Sequence, residues 1–238
     1  MKLEELKKGI NYIEGSRIAT LQSTRRPIKE EWLSNTFEDP FYKLLKDDSV
    51  DMAISFLKRW CNDFVSKDLM DIKGFYLFSQ VGRCKTSLLS CVYNFLIKND
   101  VYACCTTVEN IWDIYINNWD TQSCVYDFFL KCNVLLIDDI GIQSLTSYSE
   151  DTRKNAILKD LLDERNKANK ITCFTSNYSF QQLLQRGYMP QSVDRIREMT
   201  SQNLLYVDGS SVRGLNNLVG IQHDAREMKN PLKMCASC

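Results

Sequence analysis

Lys73-Gly74-Phe75-Tyr76-Leu77-Phe78-Ser79-Gln80-Val81-Gly82-Arg83-Cys84-Lys85-Thr86-Ser87-Leu88-Leu89-Ser90 runs from a short apolar segment into a turn around Gly82 and on into a helix. That succession is the layout of a phosphate-binding loop. In such loops backbone N–H groups and the helix N-terminus cradle phosphate oxygens, a lysine reaches the terminal phosphates, and a hydroxyl holds Mg2+. The usual pattern is G-x-x-x-x-G-K-[ST]. Lys85 and Thr86 stand at its end, whereas Ser79 and Cys84 occupy its two glycine positions, with Gly82 between them. By its own letters the stretch leaves two readings open, a nucleotide site and a chance match.

The flanking chain alternates strand and helix signals. Leu3, Leu6, Ile10 and Ile13 have helical spacing, and residues 16–48 read as an extended lead-in anchored by Trp32, Phe37, Phe41 and Tyr42. Ser49 is the expected cap of a helix carrying Ile54, Leu57, Trp60, Cys61, Phe64 and Val65 on one face. Residues 75–78 are continuously apolar, as a buried parallel strand is, and Leu88, Leu89, Val92, Phe95 and Leu96 mark the helix after the loop. Further strands are expected at 101–107, 133–139, 171–175 and 204–207, and helices at 108–131, 150–167, 180–185 and 193–199. The alternation predicts an α/β fold, a parallel sheet sandwiched between helices.

Bulk properties narrow the class. The 238 residues suit one main domain with an appendage, and 30 Lys plus Arg against 30 Asp plus Glu leave no overall field to draw the chain onto nucleic acid or an anionic membrane. The charged N-terminus lacks the apolar run of roughly 7–15 residues that a signal peptide needs, and no stretch is long enough to span a bilayer, so a cytoplasmic protein is expected. Of the ten cysteines, Cys61, Cys84, Cys91, Cys104, Cys105, Cys124, Cys132 and Cys173 sit in apolar segments and read as reduced core residues. Cys235 and Cys238 have metal or redox spacing without a second pair nearby, and read as a tail.

About 50 residues beyond Lys85, Val134-Leu135-Leu136-Ile137-Asp138-Asp139 ends an apolar strand in two carboxylates. Adjacent acids can simply terminate a strand. Beside a phosphate loop in a parallel α/β layout they point instead to nucleotide binding, because in P-loop NTPases a carboxylate at that strand end holds Mg2+ across from the loop hydroxyl. With residues 73–78, with Leu136-Ile137-Asp138-Asp139-Ile140-Gly141, and with Cys173-Phe174-Thr175-Ser176-Asn177-Tyr178-Ser179 followed by Gln181-Gln182-Leu183, the chain resembles the AAA+ ATPases that load bacterial replicative helicases, the DnaC and DnaI loaders, and the transposition helper IstB. The resemblance spans about residues 34–214 and takes in Thr36-Phe37-Glu38-Asp39 and Thr107-Val108-Glu109-Asn110-Ile111. Its most discriminating phrase is Thr175-Ser176-Asn177-Tyr178.

The resemblance implies an AAA+ core at 49–214, a short helical N-terminal extension and lead-in at 1–48 for partner docking, and a tail at 215–238. It implies ATP and Mg2+ as ligands. Gln80, Val81, Gly82, Arg83, Cys84, Lys85, Thr86 and Ser87 would surround the phosphates, and Thr86 and Asp138 would hold Mg2+. Asp139 would orient or activate the attacking water, and Asn177 would contact the γ-phosphate. Arg195 would reach the ATP of a neighbouring subunit, and Arg213 would read phosphate in its own. The implied partners are a replicative hexameric helicase of bacterial or phage type, single-stranded DNA, and further copies of the chain assembled through Arg195.

Four departures from that pattern carry expectations of their own. Cys84 sets a Cβ where the loop approaches phosphate, and a non-Gly residue resists positive φ, so weakened ATP affinity is expected. Asp139 stands where many AAA+ proteins have Glu. No Cys precedes Cys61 and the chain has one His, His223, so the zinc module of DnaI-type loaders is not expected. Residues 108–131 offer Trp112, Tyr115, Trp119 and Tyr126 for base stacking with little positive charge, and core packing is the favoured reading of each. Beside the loader stand an IstB-like ATPase helper of a transposase and an ATP-independent, helicase-binding adaptor on a degenerate AAA+ scaffold.

Overall fold

Five strands, β1 (Tyr76–Phe78), β2 (Ala103–Thr107), β3 (Val134–Ile140), β4 (Ile171–Ser176) and β5 (Leu204–Tyr206), pair in parallel in the order β2-β3-β4-β1-β5. The computed structural model describes residues 33–45, 47–66, 72–117, 123–146 and 149–208. Successive strand residues point to opposite faces, and the two faces carry separate apolar layers. Leu77, Cys105, Leu136 and Cys173 go to one, and Tyr76, Cys104, Leu135 and Phe174 to the other. Both faces are apolar, hence the unbroken hydrophobic runs in β3 and β4.

On the first face lie α1 (Pro40–Leu45), α2 (Asp48–Ser66) and α3 (Lys85–Lys98). The lead-in joins this layer: Phe37, Phe41 and Tyr42 are buried in it, as the anchor reading expects. The second face is covered by α4 (Val108–Asn117), α5 (Ser123–Lys131), α6 (Ser149–Lys167), α7 (Phe180–Gln185) and α8 (Pro190–Thr200). The expected α/β sandwich is therefore the observed one.

One local expectation is corrected. Ser49 does not cap α2; the Asp47 carboxylate does, accepting from Ser49 N (2.9 Å), Val50 N (3.3 Å) and Ser49 Oγ (2.6 Å), while Ser49 Oγ accepts from Asp208 N at 3.0 Å. A carboxylate is the stronger acceptor at a helix N-terminus, and the serine is drawn off to the end of β5. The helical material expected from 108 to about 131 is present as α4 and α5. Of its aromatics, Trp112 is 1% exposed and donates Nε1–H to Lys154 O (2.8 Å), which settles it as core, and Tyr115 packs edge-on against Tyr126.

Cys61, Cys84, Cys91, Cys104, Cys105, Cys132 and Cys173 are free and buried, in line with the reduced-core reading. Outside the described residues lie the helix expected at 3–13, Trp32, Trp119, Arg213, the Cys235/Cys238 pair and the Cys124 side chain. No helix among the described residues is long and apolar enough to cross a membrane.

The strand order places the site. From β1 the chain passes beyond β4 and β3 to reach β2, and from β4 it passes beyond β1 to reach β5. Ligands of open α/β sheets bind where such connections diverge, outside the carboxyl ends of the strands. The residues following β1, ending β3 and following β4 are Ser79, Asp138-Asp139 and Asn177.

Candidate nucleotide site

Between β1 and α3 the chain makes the tight turn of a phosphate loop. Gly82 has φ 83°, and Cys84, immediately before α3, has φ 59° and ψ 7°, the left-handed conformation for which the loop pattern has glycine. The expected resistance of Cys84 is thus overcome. Its side chain, 7% exposed, joins the apolar layer of α1, α2 and α3, where burial, reinforced by the charge of Asp47, pushes the thiol up to about 12. Lys85, 5% exposed, donates Nζ–H to Ser79 O (3.1 Å), Ser79 Oγ (3.1 Å) and Gln80 O (2.9 Å), across the loop from its own helix. Gln80 and Val81 are exposed on the turn, and Arg83 reaches Gln80 Oε1 at 3.4 Å. Ser87 Oγ is 2.6 Å from the Tyr42 hydroxyl, which ties the lead-in to the start of α3.

Across the site, Asp138 is 2% exposed and accepts from Thr86 Oγ1 at 2.9 Å and Thr175 Oγ1 at 2.5 Å. Burial first, then the charge of Asp139, pushes its carboxyl up to about 7, against the opposing pull of Thr175, Thr86 and Lys85. The Thr175 hydroxyl also accepts Asp139 N–H at 2.9 Å, so one side chain of β4 joins both acids of β3. Asp139 has φ 54° and sits where the β3–β4 register shifts between Ile137 and Ile140. Asp tolerates that conformation better than most residues, and the shift re-aims the strand end.

Asn177 follows β4 directly. Its neighbours are fixed: Ser176 Oγ donates to Ile140 O (2.6 Å) and accepts from Tyr178 N (3.0 Å), and the Tyr76 hydroxyl donates to Tyr178 O (2.6 Å). Lys85, Thr86, Asp138, Asp139 and Asn177 therefore gather at the carboxyl ends of β1, β3 and β4. Arg195 stands apart on α8, paired in its own chain with Asp163 of α6 at 2.8 Å and with Glu198. Thr175 is the residue that the sequence reading passed over, although it belongs to the same quoted phrase as Asn177.

The donor set suits one divalent cation. Thr86 and Asp138 bring a hydroxyl and a carboxylate oxygen together, and a buried carboxylate whose ionised form is disfavoured by burial and by Asp139 is stabilised by a cation. Among the described residues no group of three or more His, Cys, Asp or Glu forms a cage. The Thr86 hydroxyl and Asp138 carboxylate suit Mg2+, which keeps water and phosphate oxygens and takes only one or two protein ligands.

A parallel five-stranded sheet with a phosphate loop after β1 and an acid pair ending β3 defines the P-loop class. Within it, the chain has the AAA+ fold, which it shares with solved structures of helicase loaders and of the initiator DnaA. It matches the crystal structure of DnaI with a TM-score of 0.61 at 24% identity, over 77% of this chain and 93% of that one. It matches the crystal structure of the DnaC helicase loader with a TM-score of 0.59 at 16% identity, over 76% and 100%. A structure of the replication initiator DnaA bound to AMPPCP and single-stranded DNA matches with a TM-score of 0.59 at 15% identity, over 84% and 56%. No protein-family model matches the chain, and no curated protein matches it.

Proposed function

We propose that the chain is an ATP-binding helicase loader that helps place a replicative DNA helicase on single-stranded DNA. The observation that carries the nucleotide part is the juxtaposition of Lys85 and Thr86 at the start of α3 with Asp138, itself linked through Thr175 to Asp139. The loader part rests on the likeness of fold to DnaI and DnaC, and DnaA, of the same fold, is bound to AMPPCP and single-stranded DNA.

In this reading the turn from Gln80 to Ser87 wraps the phosphates with backbone N–H groups. Lys85 leaves the Ser79 and Gln80 oxygens to meet the terminal phosphates, and the buried setting strengthens that contact. Thr86 and Asp138 hold Mg2+, which when bound neutralises charge on the phosphate oxygens. Asp139 orients the attacking water, and hydrolysis yields ADP and phosphate. Asn177 meets the γ-phosphate. Arg195 serves a neighbouring copy only after leaving Asp163 and Glu198, so assembly competes with a contact inside the subunit. Arg213 is assigned by resemblance alone.

Nucleotide binding by wild type and Lys85→Ala tests the first step. Binding of ATP by wild type and its loss in the variant is the expected result; equal, negligible binding by both removes the ATPase reading. One observation favours the adaptor reading in that event: Lys85 is already satisfied by Ser79 and Gln80. Co-purification of a hexameric helicase with the full chain tests the loader role, and its absence from a pull-down under replication conditions removes it.

A further inference from the structure

Arg186, which closes α7, is tied to two loops at once. Its Nε–H donates to Gly141 O and its Nη2–H to Ile142 O, each at 2.5 Å, and its guanidinium carbon lies 4.2 Å from the centre of the Tyr178 ring. Its backbone carbonyl accepts Leu145 N–H at 2.7 Å. The loop that follows Asp138-Asp139 is thereby bound to the residue beside Asn177. Space is tight at both points. A Cβ on Gly141 (φ 98°) would lie 2.5 Å from Leu183 Cδ2 and 2.8 Å from Tyr178 Cδ2, and one on Gly187 would lie 1.9 Å from Leu145 O. The Tyr188 hydroxyl accepts Gly141 N–H at 3.2 Å from the other side.

We propose that Arg186 is a positioning residue that fixes the separation between the acid end of β3 and Asn177, and so sets how strongly the site prefers a nucleoside triphosphate to a diphosphate. The inference rests on the nucleotide reading above. Its physical basis is geometric. A forked guanidinium can bridge two successive carbonyls and stack on a ring at the same time, which a single ammonium cannot. Reading a terminal phosphate needs the acid side and the amide side of the site held to within a fraction of an ångström, because a displacement of about 1 Å can cost about a hundredfold in a positioned interaction. Gripping the sugar and the inner phosphates does not depend on that separation.

The test uses the full chain with Mg2+ and measures displacement of a fluorescent ADP analogue by ATP and by ADP, with melting temperatures in parallel. It compares wild type, Arg186→Gln, Arg186→Lys, Tyr178→Leu, Asn177→Ala and the Arg186→Gln/Asn177→Ala pair. Wild type is expected to prefer ATP. Arg186→Gln lowers the ATP-to-ADP affinity ratio about tenfold while ADP affinity stays within about threefold, Arg186→Lys recovers part of the ratio, and Tyr178→Leu lowers it in the same direction. The double variant is no worse than Asn177→Ala, because both act on one contact. The inference is overturned by an unchanged ratio in Arg186→Gln, by ATP and ADP affinities falling together with the melting temperature, by additive losses in the double variant, or by a wild type that binds both nucleotides equally. A wild type that binds neither overturns the nucleotide reading itself, and this inference with it.

Discussion

Cys84 holds a backbone conformation that costs a side-chain-bearing residue about 1–2 kcal/mol. Burying its thiol among the residues of α1, α2 and α3 returns about 1 kcal/mol. The two terms nearly cancel, and the side chain lies in the apolar layer. Cys84→Gly is therefore expected to leave the melting temperature within a few degrees of wild type and ATP affinity within about threefold by calorimetry. A tenfold gain in affinity would show that the Cβ does intrude on the phosphates. Thr175 is the opposite case, because its hydroxyl serves Asp138 and Asp139 N–H together. Thr175→Val removes both hydrogen bonds and is expected to destabilise the fold by about 2–4 kcal/mol in urea unfolding, with Thr175→Ser close to wild type. Lys85, Thr86 and Asp138 were legible in the sequence because spacing along the chain defines their motif. Thr175 was not, because its partnership is made by the β3–β4 register, which no local pattern states.

Between elements, the Arg195–Asp163 pair ties α8 to α6, with Lys159 one turn before Asp163. The Lys159 ammonium, and after it the Arg195 guanidinium, hold the Asp163 carboxyl below its ordinary value. A depressed carboxyl stabilises the fold above the unfolded value near 4 and loses that contribution as pH falls through its own lower value. Asp163→Asn is expected to cost about 0.5–1 kcal/mol at pH 7 and almost nothing once the wild-type carboxyl is protonated, a difference that urea melts at a series of pH values would resolve. If Arg195 serves a neighbouring copy, the same variant frees it and favours assembly in sedimentation. Element types were legible where an apolar run was long, as in β3, or where apolar residues recurred at helical spacing, as Ile157, Leu158, Leu161 and Leu162 do in α6. Boundaries failed where short polar residues compete, as Asp47 and Ser49 do for the start of α2.

For the whole molecule, the lead-in is structural as well as a candidate docking segment. Phe37, Phe41 and Tyr42 belong to the first apolar layer, and Asn35 exchanges hydrogen bonds with Ser90 and Asn94 of α3. Removal of residues 1–45 is therefore expected to lower the melting temperature by more than about 10 °C, since each buried aromatic contributes about 2–3 kcal/mol. Removal of residues 1–32 is expected to keep cooperative unfolding in calorimetry, and it is the clean variant for asking whether a helicase is held there. The α/β class was legible from the alternation of runs; the strand order was not, because nothing local states which strands pair. That order has a consequence for how the protein is made. β1 pairs only with β4 and β5, whose partners for Tyr76 are Phe174 and Leu204. On a ribosome adding roughly 5–20 residues per second, the strand that carries the phosphate loop waits on the order of 5–20 seconds for its first neighbour and slightly longer for its second. Through that interval an interior strand of the finished sheet is an unpaired apolar segment of a growing chain. The nucleotide site is thus among the last parts of the molecule that synthesis can complete.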